Sequence, residues 1–320
     1  MKQFKLFEVD EFIISGYKRV QHTAEYIEVF RKLFCMQEDV LYNHSIVQPF
    51  SYLNKGRLSL FINADYKSGE IIPIIQKFKN NPTFSLYCPR ASDQRILETV
   101  EKLKEVSGKE VEIVDATDEW SQSFISNNPN WQRVETSKDV VYNTEKVHVL
   151  EGSGFSKIRN KIRRAEKCGL YIEEIRTEKH LGDAIQLFEH WKQTQGEKYF
   201  RVTVGRDKRL IEEYWDKVDG KNFFGYNAYI ENECKGVVFG NRSDLKPDWG
   251  IEVTTKADIH TPGASDYIRQ YLLSRMYSEG IKFVNDSGFY GTGVKVNKTK
   301  WLPDRIIKMY KLKEVEEKII

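Results

Sequence analysis

The chain has 320 residues, 40% of them apolar and 13% aromatic, with 50 basic residues set against 47 acidic ones. That is length enough for two domains with substantial cores, and a net charge of +3 excludes a protein drawn to nucleic acid by a global field. Four scattered cysteines without a CxxC pair, no secretory leader, six dispersed histidines without an HExxH and no apolar run of the ~18 residues a bilayer span needs point to a reduced, cytoplasmic protein with no metal site, in at most peripheral contact with a membrane.

In chain order, "TAEYIEVFRKLF" sets Tyr26, Ile27, Phe30, Leu33 and Phe34 on one helical face. Strands follow in "IVQPFSYL" and "RLSLFINAD", then a short helix in "PIIQKFKN" and a strand in "TFSLYC". "SDQRILETVEKLKEVSG" has a cap at Ser92 or Asp93 and a stop at Gly108, which predicts a helix, and "VEIVDA" closes the unit as a strand. The turn formers of "SNNPNWQRVETSKD", Ser126 to Asp139, predict a connector, with Trp131 and Val134 partly packed, so the chain divides into 1–130 and 131–320.

The second half opens with strands around "VVYNTEKVHVL", then "GFSKIRNKIRRAEKCGL", whose Phe155, Ile158, Ile162 and Ala165 form an apolar stripe ending at Gly169. Six cations, Lys157, Arg159, Lys161, Arg163, Arg164 and Lys167, frame that stripe against the single acid Glu166. Arg164 and Lys167 suit the helix C-terminus. A solvated face remains open for the rest, beside docking of phosphate from a tRNA, an anionic lipid surface or a coenzyme pyrophosphate. Then come the strand "LYIEEI", the helices "EKHLGDAIQLFEHWKQTQ" and "DKRLIEEYWDKV", and a meander of "NFFGYNAYI", "CKGVVFGNRS" and "DWGIEVTTKA". The helix "GASDYIRQYLLSRMYSEG" leads to the strands "IKFVNDSG" and "DRIIKMYKL". This mixed α/β order, with α+β mixed sheets, resembles the GNAT acyltransferase fold, in two similar units with the functional cleft in the second.

Three segments resemble the soluble C-terminal domain of phosphatidylglycerol lysyltransferases. They are the run from Tyr142 through Leu150, Gly152, Arg159, Asn160, Lys167 and Gly169; "GIKFVNDSG"; and "GVKVNKTKWLPDRIIKMYKL" with Lys298, Trp301 and Pro303. The resemblance covers the second half and fits the first more loosely. It implies tandem GNAT-like units and transfer of an aminoacyl group from aminoacyl-tRNA, as in the similar Fem enzymes, and it leaves the acceptor open. The membrane-spanning portion of those lysyltransferases has no counterpart here, which puts phosphatidylglycerol as the acceptor in doubt.

Such transfer proceeds by direct attack in a ternary complex, with no tightly bound cofactor, and needs a proton acceptor, an oxyanion stabiliser and a phosphate dock. Lys298 is the candidate stabiliser and Glu252 and Asp286 the candidate proton acceptors, each with a bland reading as a surface, strand or turn residue. Lys157, Arg159, Lys161 and Arg163 are the candidate donor dock, and the acceptor is a small molecule, a peptide or a lipid headgroup. An acyl-coenzyme A N-acyltransferase is the alternative, with Gly263 and Ser265 opening a helix toward pyrophosphate, although the usual preceding Arg or Gln and second glycine are missing. A non-catalytic protein binding RNA or an anionic membrane is the third reading.

Overall fold

The computed structural model describes residues 16–20, 28–29, 31–33, 58–77, 83–195, 201–288 and 292–315. The chain forms two compact units. Among the described residues, the first holds 16–138 and 307–315, and the second 139–306.

In the first unit, β1 (Tyr17–Arg19), β2 (Leu58–Asn63), β3 (Pro73–Lys77) and β4 (Thr83–Tyr87) pair antiparallel in sequence order. Helix α1 (Asp93–Ser107), closed by left-handed Gly108, crosses to β5 (Glu112–Thr117), which lies parallel to β4. Helix α2 (Asp118–Asn127) follows. Ile96, Val100 and Leu103 of α1 bury against Phe84, Leu86 and Ile113, and Phe124 and Trp131 extend that core. The second neighbour of β5 is the C-terminal strand β12 (Arg305–Glu314), paired antiparallel through Met309, Tyr310 and Leu312.

Strand β6 (Trp131–Asn143) enters the second unit at Asp139. There follow α3 (Thr144–Val149), α4 (Ser156–Lys167), β7 (Tyr171–Glu174), α5 (Glu178–Gln195), α6 (Arg201–Tyr214), β8 (Phe223–Ile230), β9 (Glu233–Arg242), β10 (Trp249–Ala257), α7 (Ala264–Ser278), β11 (Phe283–Gly288) and α8 (Thr292–Thr299). The strand order is β6-β11-β10-β9-β8-β7, with only β10 and β11 parallel. Strand alternation sends Phe224, Tyr226 and Ala228 into a core with α3, α4 and α7, and sends Asn227 and Tyr229 to α5, where they bond the His180 carbonyl (2.7 Å) and Asp183 (2.9 Å).

The sequence β2-β3-β4-α1-β5-α2 therefore recurs as β8-β9-β10-α7-β11-α8, so the fold is a mixed α/β tandem of GNAT-like units. The strand flanking the parallel pair comes from elsewhere in the chain in each case, β12 beside β5 and β6 beside β11.

Several sequence expectations are corrected. "PIIQKFKN" is a strand over Pro73–Lys77, because β-branched Ile74 and Ile75 pair with β2 on one side and β4 on the other. The connector expected from Ser126 to Asp139 is the end of α2 and most of β6. Within "VVYNTEKVHVL" the strand stops at Asn143, whose side chain caps α3 by accepting from the Lys146 N–H at 3.1 Å. Residues 131–138 and 307–314 belong with the first unit, whereas the sequence places all of 131–320 in the second. The "IVQPFSYL" strand and most of the helix at 23–34 fall outside the described residues.

Candidate active site

The parallel pairing of β10 with β11 covers only Trp249–Ile251 against Phe283–Asn285. The next residue on each strand is a buried carboxylate, Glu252 on one and Asp286 on the other. A β-bulge follows at once in β10, where Glu252 stands opposite Gly240 and Thr254 opposite Phe239. The extra residue reverses the alternation, so Glu252 faces α7 while Thr254 faces the other side of the sheet, bonding Asp207 of α6 at 3.0 Å. Gly240 makes room there: a Cβ on it would lie 2.6 Å from Met276 Cε of α7.

Arg269, one and a half turns into α7, reaches both carboxylates from a site 5% exposed. Its Nε and a terminal nitrogen donate to Glu252 Oε1 at 2.9 and 2.6 Å, and that nitrogen lies 3.1 Å from Asp286 Oδ2. Lys298, near the end of α8, puts Nζ 3.2 Å from Asp286 Oδ1 and donates to the carbonyls of Asp286 and Ser287. The Tyr142 hydroxyl lies 3.1 Å from Asp286 Oδ2 and 3.1 Å from the Lys298 carbonyl, its one proton serving either. Two carboxylates and two cations balance, which is what lets four charges be buried together.

The pairing is uneven. Thr255 and Arg269 all bond Glu252 Oε1, while Oε2 is buried without a hydrogen-bond partner among the described residues. Burial pushes the Glu252 carboxyl above its ordinary value, against the opposing pull of Arg269. Burial also works against the Arg269 charge, but Asp286 and Glu252 outweigh it and its proton is held more tightly than usual. Tyr142 is raised well above the phenol range by burial and by Asp286, so it acts as a neutral donor. The end of β11 is fixed separately. Asn285 donates to Asp139 at 2.9 Å and accepts from the Ser287 N–H at 2.7 Å, holding Ser287 in the left-handed region at φ 56°.

Glu252, Asp286 and Lys298, singled out in the sequence, thus lie in one cluster. Lys298 spends its ammonium on Asp286 and main-chain oxygens. Arg269 was not anticipated, although it occupies the buried stripe Arg269, Leu272, Leu273 and Met276 at helical spacing, and a charge on an apolar face is a usable signal. Tyr142 was visible only as part of a motif.

The basic helix divides. Arg159 donates to the Leu150 carbonyl and, at 2.8 Å, to that of Gly152, so it builds the turn before α4. Lys161 pairs with Asp266 of α7 at 3.4 Å. Lys157 and Arg163 are exposed with no partner among the described residues, as are Arg164 and Lys167. These four fall within roughly a third of the helix circumference, opposite the buried stripe. Gly263 adopts φ 81° and a Cβ on it would lie 2.0 Å from the Lys161 carbonyl oxygen. Its missing side chain lets α4 pack on the start of α7, and half-buried Ser265 sits in the same junction.

The family described as "Phosphatidylglycerol lysyltransferase, C-terminal" matches residues 67–310. Among solved structures, a conserved protein of unknown function from Bacteroides thetaiotaomicron is similar at 16% identity and TM-score 0.73, over 95% of this chain and all of that one. The structure of L-PGS from Bacillus licheniformis is similar at 12% identity and TM-score 0.61, over 92% of this chain and 93% of that one. A tandem GNAT protein from the clavulanic acid biosynthesis pathway is similar at 9% identity and TM-score 0.54, over 93% of this chain and 98% of that one. Among curated proteins no match is found. No helix among the described residues is long and apolar enough to cross a membrane.

Proposed function

The chain belongs to the family of phosphatidylglycerol lysyltransferase C-terminal domains, a family of the acyltransferase type, and from that premise we propose that it transfers an aminoacyl group from aminoacyl-tRNA to an amine or hydroxyl acceptor in the cytoplasm. The observation that carries this reading is Glu252 Oε2, a buried acceptor atom without a hydrogen-bond partner among the described residues, on a carboxyl of raised proton affinity beside the point where β10 and β11 part. A carboxyl held above its ordinary value is a stronger base than a free one. The acceptor's lone pair attacks the ester carbonyl carbon, the carbon–oxygen bond to the terminal ribose breaks, and Glu252 passes the acceptor's proton to the departing ribose oxygen. Arg269 fixes the orientation of Glu252 and ties it to Asp286. Lys298 acts as a fixed charge that holds Asp286 and the end of β11, a positioning role in place of the oxyanion donor expected from sequence. Lys157 and Arg163, joined by Arg164 and Lys167, take the donor's phosphates, with Lys161 beside them. The acceptor is a small molecule, a peptide or a lipid headgroup, the last reached through peripheral membrane contact.

The acyl-coenzyme A reading has less support, because the turn at Gly263 and Ser265 is already packed against the α4 backbone. The non-catalytic reading gives Glu252 no role beyond its ion pair with Arg269. Equilibrium binding of charged tRNA, uncharged tRNA and acetyl-coenzyme A separates the first two readings, and acceptor-dependent discharge of the bound aminoacyl-tRNA separates the first from the third. The proposal predicts tight binding of charged tRNA and none of acetyl-coenzyme A, and the reverse preference would overturn it.

A further inference from the structure

Asp266 is a buried carboxylate in the first turn of α7 that serves two lysines from different elements. Lys300 Nζ lies 2.5 Å from Oδ1 and Lys161 Nζ lies 3.4 Å from Oδ2. The side chain of Asp266 is 5% exposed, that of Lys300 23% and that of Lys161 49%. Lys300 is therefore half-buried beside its partner, whereas Lys161 rests on the carboxylate from the solvent side, on the helix that carries the four unpartnered cations. The α4 backbone at Lys161 is held independently by its contact with Gly263, so the side chain can leave Asp266 without the helix moving.

We infer that Asp266 competes with the phosphates of the docked polyanion for Lys161, and that Lys300, by occupying the same carboxylate, sets how readily Lys161 is released. The inference rests on the reading of α4 as the donor's dock. With Lys300 in place, departure of Lys161 leaves a neutral buried pair behind. Without Lys300, the same departure would leave a buried carboxylate uncompensated, so Lys161 would be retained. Asp266 also lies one turn before Arg269, and Lys300 two residues after Lys298, so the shared carboxylate joins the dock to both elements that bring cations to Glu252 and Asp286.

The test is a double-mutant cycle read by binding of uncharged total tRNA and, separately, inorganic polyphosphate at two salt concentrations. Lys161→Met should weaken binding several-fold and lower the salt slope by about one. Lys300→Met should also weaken binding several-fold, although Lys300 is half-buried against Asp266, and the double variant should bind no worse than Lys161→Met alone. Asp266→Asn with Lys300→Met, which removes the buried pair together and frees Lys161, should bind more tightly than the parent, and it serves if Lys300→Met fails to fold. Parent-like binding by Lys300→Met, additive losses in the double variant, or no gain in the pair-deleted variant would each overturn the inference. If tRNA fails to bind the parent while polyphosphate binds, the donor reading falls and the polyphosphate cycle still decides this one. If the parent binds neither, both fall.

Discussion

Arg269 places two nitrogens on a single oxygen of Glu252, at 2.9 and 2.6 Å, and leaves the second oxygen of that buried carboxylate with no hydrogen-bond partner among the described residues. A stabilising ion pair alone would be better served by a two-oxygen fork. The one-sided arrangement fits a group kept in place by one oxygen and free to exchange a proton at the other.

Glu252→Gln should therefore lower turnover on the order of a hundredfold or more while donor binding stays near that of the parent. The raised carboxyl also has a stability consequence. A folded-state value above the unfolded one means that the native protein holds a proton the unfolded chain has released, so this group's contribution falls as pH rises from about 4.5 toward the folded value. Thermal melts of parent and variant across pH 4 to 8 should show the parent losing ground to Glu252→Gln as pH increases. A constant difference would contradict the shift.

Arg269→Met removes the cation between two buried carboxylates, and breaking such a pair from one side costs about 3–5 kcal/mol. Urea unfolding should show that loss. Arg269→Lys keeps the charge without the planar fork, and it should recover much of the stability but little of the turnover. Full activity in the lysine variant would mean that charge alone orients Glu252.

Gly263→Ala puts a Cβ where the Lys161 carbonyl oxygen now lies, at a backbone φ of 81°. A loss of about 1–3 kcal/mol is expected from the left-handed strain alone. Because the obstacle is α4 backbone, polyanion binding should weaken as well. A variant with parent stability and parent tRNA affinity would show that α4 and α7 can separate without consequence.

Ending the chain before Arg305 removes β12, and with it Tyr310 and Leu312 from the first unit's core. Limited proteolysis of that truncated protein should cut preferentially between residues 83 and 127, at the exposed edge left on β5. Resistance equal to that of the full chain would mean that β12 is dispensable to the unit it completes.

Much of this architecture was legible from periodicity. The helices α1, α4, α5 and α7 have long apolar stripes, and the strands of the β8-β9-β10 meander are runs of apolar, aromatic and β-branched residues between turn formers, so periodicity and composition identify each. Short elements were not legible in this way. "PIIQKFKN" has too few residues for its period to decide between helix and strand, and α2 and α8 have too few apolar positions to show a period at all. The site residues were legible singly, as a charge inside a strand at Glu252 and a carboxylate at a strand end at Asp286. Their assembly was not, since it depends on parallel pairing across a helix, on a bulge that turns one side chain about, and on Arg269 arriving from the buried face of α7. Likewise nothing local in "DRIIKMYKL" says that its neighbour is β5.

The most direct test of the account is the rate at which labelled aminoacyl ester is lost from a mixed pool of charged tRNA, measured for three proteins side by side with acetyl-coenzyme A consumption as control. The account predicts that the parent discharges tRNA in an acceptor-dependent way and leaves acetyl-coenzyme A untouched. Glu252→Gln should bind the tRNA without discharging it, and replacement of Lys157, Arg163, Arg164 and Lys167 should abolish both at moderate salt while leaving the melting temperature nearly unchanged. Discharge by Glu252→Gln at the parent rate, or consumption of acetyl-coenzyme A with charged tRNA left intact, would contradict it.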